Sequence, residues 1–349
     1  MPESARDPDP IAGSEAPPGG SVPAADGLLV PGTPLRLHHG GEIVEVAVAW
    51  RLHGHEHLPV VVALGGISAG RDVYRDPDGG AGWWHEVVGP GLAIDTNRVR
   101  VLGIDWLGGS GRSTGPQPGQ RDFPSISSFD QAQLLEALRW HLGIDRFAAI
   151  IGASYGGMVA LAFAQRFPAA VRHIAVIGAA HRSHPLATAW RSLQRHIVRF
   201  GLDRGDGPDA MVLARALAMV TYRTPAEFAQ RFSGPPERNE VGRFEFPVES
   251  YLLRQGGKYR GRVAESYLCL SESIDLHVVD PGRITTPTTL IGVVDDQLVP
   301  IDDVRALAGA LAGPCSLHEI SSVYGHDAFL KENDMLRPLL ADAQRVDAP

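Results

Sequence analysis

The chain reads as an α/β protein: a mainly parallel central sheet with helices on both faces, and a helical insertion ahead of its last two strands. Three observations predict this. Apolar runs of strand length alternate with helix-period patterns through most of the chain. One such run leads into Gly152-Ala153-Ser154-Tyr155-Gly156, and a helical pattern follows at once. From about residue 181 to 278 the alternation stops and no clear strand pattern is left. Strands separated by helices pair in parallel, with the crossovers covering the sheet.

The elements follow in order. Residues 1–27 are rich in Pro, Ala, Gly, Ser and Asp without an apolar stretch. They read as a disordered tail, not a signal peptide. From Gly41 to His53 a period of two puts Val44, Val46, Val48, Trp50 and Leu52 on one face and Glu45, Ala47, Ala49 and Arg51 on the other. That pattern suits an early, half-buried antiparallel strand. Further strands are expected at 58–64, 99–104, 147–151, 173–178, 288–294 and 316–320. Helices are expected at 129–142, capped by Ser127 or Ser128 and stopped by Gly143, then at 158–167, 304–311 and 333–344. The irregular region carries helical stretches at 186–200, 209–220, 225–232 and 263–273, with a loop rich in Gly, Pro and charge at 233–243. The chain thus divides into a tail (1–27), a core (28–180 and 279–349) and a helical lid (181–278).

Composition sets bounds. At 349 residues the chain can bury a large core. A formal net charge of -8 argues against a general nucleic-acid surface. The two cysteines, Cys269 and Cys315, sit in apolar surroundings and give neither a disulfide framework nor a metal spacing. No apolar run reaches about 18 residues, so no membrane span is expected and a cytoplasmic location is the default.

The chemistry starts at Ser154. A Gly-x-Ser-x-Gly between a strand and a helix is a nucleophile elbow, the hallmark of the α/β-hydrolase fold. The flanking glycines let two backbones pass closely, and the helix aims its first amides at a site of developing negative charge. A serine hydroxyl needs a base, and the base needs an orienting carboxylate. In this fold the order is Ser, then an acid after a late strand, then His near the C-terminus. Asp295 and Asp296 leave the end of the strand at 288–294, and His326 follows the last strand. His326 is assigned as the base and Asp296 as its orienter, with the adjacent Asp295 as competitor. One of fourteen histidines, His326 stands out by this position and by its glycine neighbour, Gly325. The oxyanion of an acyl-transfer intermediate needs two backbone amides. One is expected from Tyr155, the other from Gly65 or its neighbour Leu64 in the loop after the strand at 58–64.

Further motifs join these: Gly82-Trp83-Trp84, Gly89-Pro90-Gly91, Leu107-Gly108-Gly109, Gly111-Arg112-Ser113-Thr114-Gly115-Pro116, Phe123-Pro124, Thr221-Tyr222-Arg223, Val248-Glu249-Ser250-Tyr251-Leu252 and Gly325-His326-Asp327. In this order and spacing they resemble the α/β-hydrolase-fold homoserine O-acyltransferases of methionine biosynthesis, over nearly the whole chain after the tail. The resemblance implies Ser154 as nucleophile, Asp296 as orienter and His326 as base. It also implies that Arg215 binds the carboxylate and Asp327 the ammonium of an amino acid, and it suggests a homodimer through the lid. The sequence departs from the common acetyltransferase pattern. Tyr155 stands where those members usually carry Met, and the oxyanion stretch reads Leu-Gly-Gly-Ile-Ser rather than a Leu-Thr-Gly pattern. Arg191, within Trp190-Arg191-Ser192-Leu193-Gln194-Arg195, replaces a usually neutral residue. An arginine there suits the terminal carboxylate of a succinyl group, so succinyl-CoA is the expected co-substrate, with no other cofactor and no metal. L-Homoserine is the expected acceptor. Acetyl-CoA as donor, L-serine as acceptor, and an esterase of the same fold are the alternatives. Lys258, Tyr259 and Arg260 are candidates for contacting CoA.

Overall fold

A computed structural model describes residues 22–343. Eight strands make the central sheet: β1 (Ala24–Leu29), β2 (Val48–His53), β3 (Val60–Leu64), β4 (Arg100–Ile104), β5 (Ala149–Ala153), β6 (Ile174–Ile177), β7 (Thr288–Val293) and β8 (Cys315–Ile320). Their spatial order is β1-β2-β4-β3-β5-β6-β7-β8. β1 and β2 run antiparallel to their neighbours, and from β4 onward every pairing is parallel.

The central strands are buried on both faces, which is why Val60-Val61-Val62 and Ile150-Ile151 read as unbroken apolar runs. Alternate residues serve opposite cores. Val62, Ile150 and Leu290 join Leu134 and Leu138 of α1 (Ser128–His141) and Leu161 of α2 (Tyr155–Arg166). Val61, Ile151 and Ile291 join Leu336 and Leu340 of the helix Asn333–Ala343. Ser127 caps α1 as expected, with its backbone N–H and hydroxyl both donating to Asp130.

Between β6 and β7 the chain adds no strand to this sheet. It forms α3 (Pro185–Leu202), α4 (Gly207–Tyr222), α5 (Pro225–Phe232), α6 (Pro247–Gly257) and α7 (Ala264–Asp275). The sequence did not predict α6. The segment ends in Gly256-Gly257, which weakens a helical pattern, yet Pro247 opens it and the Glu249 carboxylate accepts the Phe246 N–H. The loop expected at 233–243 contains a small antiparallel ladder, Glu237–Arg238 with Phe244–Glu245. α7 is stitched to the core. Tyr155 and Ser273 share a buried hydrogen bond of 2.6 Å. Buried His277 donates from Nε2 to the Ala180 carbonyl and accepts the Ser128 hydroxyl at Nδ1, 2.7 Å away. Burial pushes the His277 pKa down to about 3, so it stays neutral and can play both parts.

Two expectations need correction. Residues 24–27 of the expected tail belong to β1, paired with β2, while 1–21 lie outside the described residues. The ladder supplies the backbone hydrogen bonds, and Gly27 lies directly against the Trp50 ring, where a side chain would collide. Polar composition is tolerated because the strand is mostly exposed. The expected strand from Gly41 to His53 is broken into Glu42–Ile43 and β2. Val44 turns outward, and the Ala47 amide is taken by the Thr114 hydroxyl.

Candidate active site

Ser154 stands at the turn from β5 to α2 with φ 56° and ψ -121°. Positive φ is costly for a residue with a Cβ, roughly 1–3 kcal/mol, and persists only where the surroundings impose it. They do so here. A Cβ on Gly152 would run into the Gly156 carbonyl, and one on Gly156 into the Leu64 carbonyl. The Ser154 amide is held by the Ile177 carbonyl at 2.8 Å. The turn therefore lifts the hydroxyl off the sheet into a cleft of about 1220 Å³. That exceeds the roughly 300–1,000 Å³ of common small-molecule sites.

His326 lies in a short 3-10 turn, Gly325–Asp327, after β8. Its Nε2 is 2.8 Å from Ser154 Oγ and its Nδ1 is 2.6 Å from Asp296 Oδ2. A carboxylate only accepts, so Nδ1 carries the proton and Nε2 is left to accept from the serine. Burial works against charge on the imidazole, but the ion pair with Asp296 outweighs it and raises the His326 pKa above 6.5. Asp296 Oδ1 in turn accepts the amides of Leu298 and Val299. Asp295 points elsewhere: its carboxylate accepts the Ser321 hydroxyl and the Ser322 amide. The structure thus brings Ser154, His326 and Asp296 into one hydrogen-bonded line and leaves Asp295 out of it.

Tyr155 opens α2, so its amide has no partner within the helix. Its side chain points under α7 to Ser273. Leu64 ends β3, and the buried Gly65 gives its carbonyl to the Gly156 amide. Gly66 is the loop residue that lines the cleft, and a Cβ placed on it would lie about 4.0 Å from Ser154 Oγ. The Gly66 carbonyl accepts Trp106 Nε1–H at 3.0 Å, which fixes this peptide.

Arg215 of α4 lines the cleft at 3% exposure. Its Nη1 donates to the Tyr222 hydroxyl at 3.1 Å, and the guanidinium lies 4.1 Å from the centre of the Tyr259 ring and 5.8 Å from that of Tyr267. Its Nε is buried without a partner, and among the described residues no carboxylate pairs with it. The tyrosine rings around it attract the cation in place of a carboxylate. Asp327 also lines the cleft, with Oδ2 3.0 Å from Arg223 Nε. Burial pushes its carboxyl above the ordinary range, against the pull of Arg223 and His326.

Arg191 of α3 faces the cleft but is already engaged. Its Nε and Nη2 donate to Asp275 Oδ1 at 2.9 and 2.7 Å, and Nη2 also to the Ser183 hydroxyl. Of the residues suggested for CoA, Tyr259 lines the cleft beneath Arg215, whereas Lys258 does not and Arg260 is paired with Asp209. Sequence reading missed Trp106, Tyr222, Tyr267 and Gln194, all of which shape the site. Tyr222 carried a signal through its Thr-Tyr-Arg motif, and Gln194 lay within the Trp190–Arg195 run. Trp83 and Trp84 were seen only as a motif. Trp84 Nε1–H donates to the Phe329 carbonyl and so anchors the segment after His326.

Comparison with known proteins agrees with this geometry. Residues 59–333 match the family model of the alpha/beta hydrolase fold. The chain is 40% identical over 341 residues to a homoserine O-succinyltransferase of Xanthomonas campestris, covering 97% of this chain and 87% of that protein. It is 34% identical over 357 residues to a serine O-succinyltransferase of Litchfieldella anticariensis, covering 90% and 96%. Its fold matches the crystal structure of a homoserine O-acetyltransferase from Bacillus anthracis with a TM-score of 0.82, at 18% identity over 92% of this chain and 98% of that one. Elbow, sheet order and sequence likeness together place the chain in the homoserine O-acyltransferase family of the α/β-hydrolase fold.

Proposed function

We propose that the protein transfers a succinyl group from succinyl-CoA to the hydroxyl of L-homoserine through a succinyl-serine enzyme. The observation that carries this reading is the Ser154–His326–Asp296 line opening into a cleft that also holds the unpaired Arg215 guanidinium. In the first half-reaction Ser154 Oγ attacks the thioester carbonyl while His326 Nε2 takes its proton. The amides of Tyr155 and Gly66 hold the oxyanion. The C–S bond breaks, CoA leaves with the proton from His326, and an ester remains on Ser154. In the second, Arg215 binds the carboxylate of homoserine and Asp327 its ammonium. His326 takes the hydroxyl proton, the oxygen attacks the ester, and Ser154 recovers a proton as O-succinyl-L-homoserine departs. The helical insertion, residues 181–278, acts as a lid that keeps water from the ester. Similarity to the Xanthomonas homoserine O-succinyltransferase supports the choice of donor and acceptor. One observation favours acetyl-CoA instead: Asp275 already occupies two N–H groups of Arg191.

Mass spectrometry after incubation with succinyl-CoA alone tests the proposal. A gain of one succinyl group on the Ser154 peptide, discharged by L-homoserine and not by L-serine, is the expected result. Acetyl-CoA loading faster than succinyl-CoA, or turnover without an acceptor, overturns it. The enzyme works as a cytoplasmic homodimer in this reading. Leu186, Leu193 and Phe200 of α3 and Leu213 and Val220 of α4 are exposed at intervals of seven, apolar stripes suited to packing against a second copy.

A further inference from the structure

α3 presents two polar side chains to the cleft, Arg191 and Gln194, three residues apart and so on one face of the helix. Arg191 spends Nε and Nη2 on Asp275 and Ser183, and among the described residues its Nη1 makes no hydrogen bond. Arg195, on the same helix, donates to Asp275 Oδ2 at 2.6 Å and to the Ser271 carbonyl, and does not reach the cleft. Two guanidiniums therefore share one carboxylate. One positive charge remains unmatched at the cleft wall.

Gln194 is 3% exposed, and its Oε1 accepts the Tyr267 hydroxyl at 2.6 Å. Its Nε2 makes no hydrogen bond among the described residues, yet it is not an enclosed orphan like Arg215 Nε. What little of Gln194 is open faces the cleft it lines. With its acceptor satisfied and its donors unspent, this side chain offers N–H groups to an acceptor in the cleft. Tyr267 sets the direction: by occupying Oε1 it turns the amide nitrogen toward the cleft. Burial pushes the Tyr267 pKa up to about 12, so its proton stays available for this.

We propose that Gln194 is a donor-specificity residue, whose carboxamide N–H and Arg191 Nη1 together hold the distal carboxylate of a dicarboxylic acyl-CoA. The assignment rests on the succinyl-transfer reading above and adds a residue to it. A carboxylate held by an arginine fork still has lone pairs to satisfy in a buried site, and a neutral amide satisfies one without adding charge. An acetyl group brings no such acceptor, so Gln194 gives it nothing.

The test compares kcat/KM for succinyl-CoA and acetyl-CoA, each with L-homoserine, in the wild type, Gln194→Met, Gln194→Glu and Tyr267→Phe. Gln194→Met keeps the shape and removes the donor. It is expected to lower the succinyl-CoA value about 10-fold to 100-fold, the usual loss for a hydrogen bond to a charged group, and to leave the acetyl-CoA value within about threefold. Gln194→Glu sets a carboxylate against the ligand's own and is expected to lose more. Tyr267→Phe keeps the amide but frees it to turn, so a smaller loss in the same direction is expected, even if a Gln194 variant does not fold. Equal losses with both donors overturn the assignment, as does a change confined to the KM of homoserine. If the wild type prefers acetyl-CoA, the donor reading itself falls and takes this assignment with it. If it prefers succinyl-CoA and the Gln194 variants keep that preference unchanged, only the assignment falls.

Discussion

Replacing Asp296 by Asn, with Asp295 left intact, is the sharpest perturbation of the proposed chemistry. The structure fixes what the new amide would do. Asp296 Oδ1 accepts the amides of Leu298 and Val299, so the carbonyl oxygen of Asn is retained on that side. Its NH2 then faces His326 Nδ1, where Oδ2 stood at 2.6 Å. Two donors cannot face each other, so the imidazole moves its proton to Nε2 and can no longer accept from Ser154. The side chain is the same size, and the base is lost without a cavity. A wrong tautomer of this kind costs about 10⁴ in kcat. At roughly 1.36 kcal/mol per decade that is about 5 kcal/mol. Asp295→Asn is the control. It disturbs bonds to the Ser321 hydroxyl and the Ser322 amide at the edge of the His326 loop. These are worth about 1 kcal/mol each, so it should cost some stability and no more than about tenfold in rate. CoA release, followed by thiol titration under saturating succinyl-CoA and L-homoserine, reads both variants. Equal damage from the two, or Asp296→Asn within about tenfold of wild type, would refute the assignment of the acid.

Three further outcomes follow from the same geometry. The rate should fall one decade per pH unit on the acid side as Nε2 of His326 takes a proton; because Asp296 raises this pKa, the break should lie above 6.5, and an acid limb centred below it in a kcat/KM profile would contradict the ion pair. Arg215→Lys keeps the charge but loses the planar fork, so the KM for L-homoserine should rise on the order of 10-fold to 100-fold while acyl-enzyme formation from succinyl-CoA alone is unchanged; slowed acylation would instead place Arg215 in the donor site. Tyr155→Phe removes the hydroxyl bonded to Ser273 but not the backbone amide, so it should lower stability by about 1–3 kcal/mol in denaturant melts and leave kcat within a few-fold at low temperature.

The parts of this site that the sequence revealed are those fixed by backbone geometry. Ser154 is readable because a strand, a sharp turn with φ 56° and a helix leave few residues admissible around it. His326 is readable from chain order, since a parallel sheet must present its loops at one end. The choice between Asp295 and Asp296 is different in kind. Adjacent residues after a strand point opposite ways, and a one-residue difference in where β7 ends reverses them. Arg215 was found through resemblance, but its physical character, a cation with no carboxylate partner among the described residues, appears only when the three tyrosines around it are placed. Gln194 lay within the Trp190–Arg195 run but was given no role, because nothing local says which polar residue of an amphipathic helix has its outward-looking atoms sealed in. Residues 24–27 were misread because composition reports how a segment meets water, and an edge strand meets water much as a tail does.

The line of Ser154, His326 and Asp296 does not by itself decide between transfer and hydrolysis, for water can discharge the same ester. The difference must come from how the acceptor is held. An alcohol fixed beside an ester reacts as though present at roughly 10⁵–10⁸ M, far above any concentration bulk water can reach. Fixing a small amino acid so closely takes a grip at each end. The cleft offers one of each sign, Arg215 unpaired and Asp327 beside Arg223. Both connect to the base. Asp327 follows the base directly, and Arg215 touches Tyr222, whose ring lies 5.9 Å from that of His326. A substrate gripped at these two points is therefore located relative to the proton acceptor rather than merely concentrated in the cleft. If Arg215 and Asp327 hold the acceptor as proposed, transfer wins over hydrolysis because the acceptor's two charges are read by groups coupled to the base, and water has no charges to read.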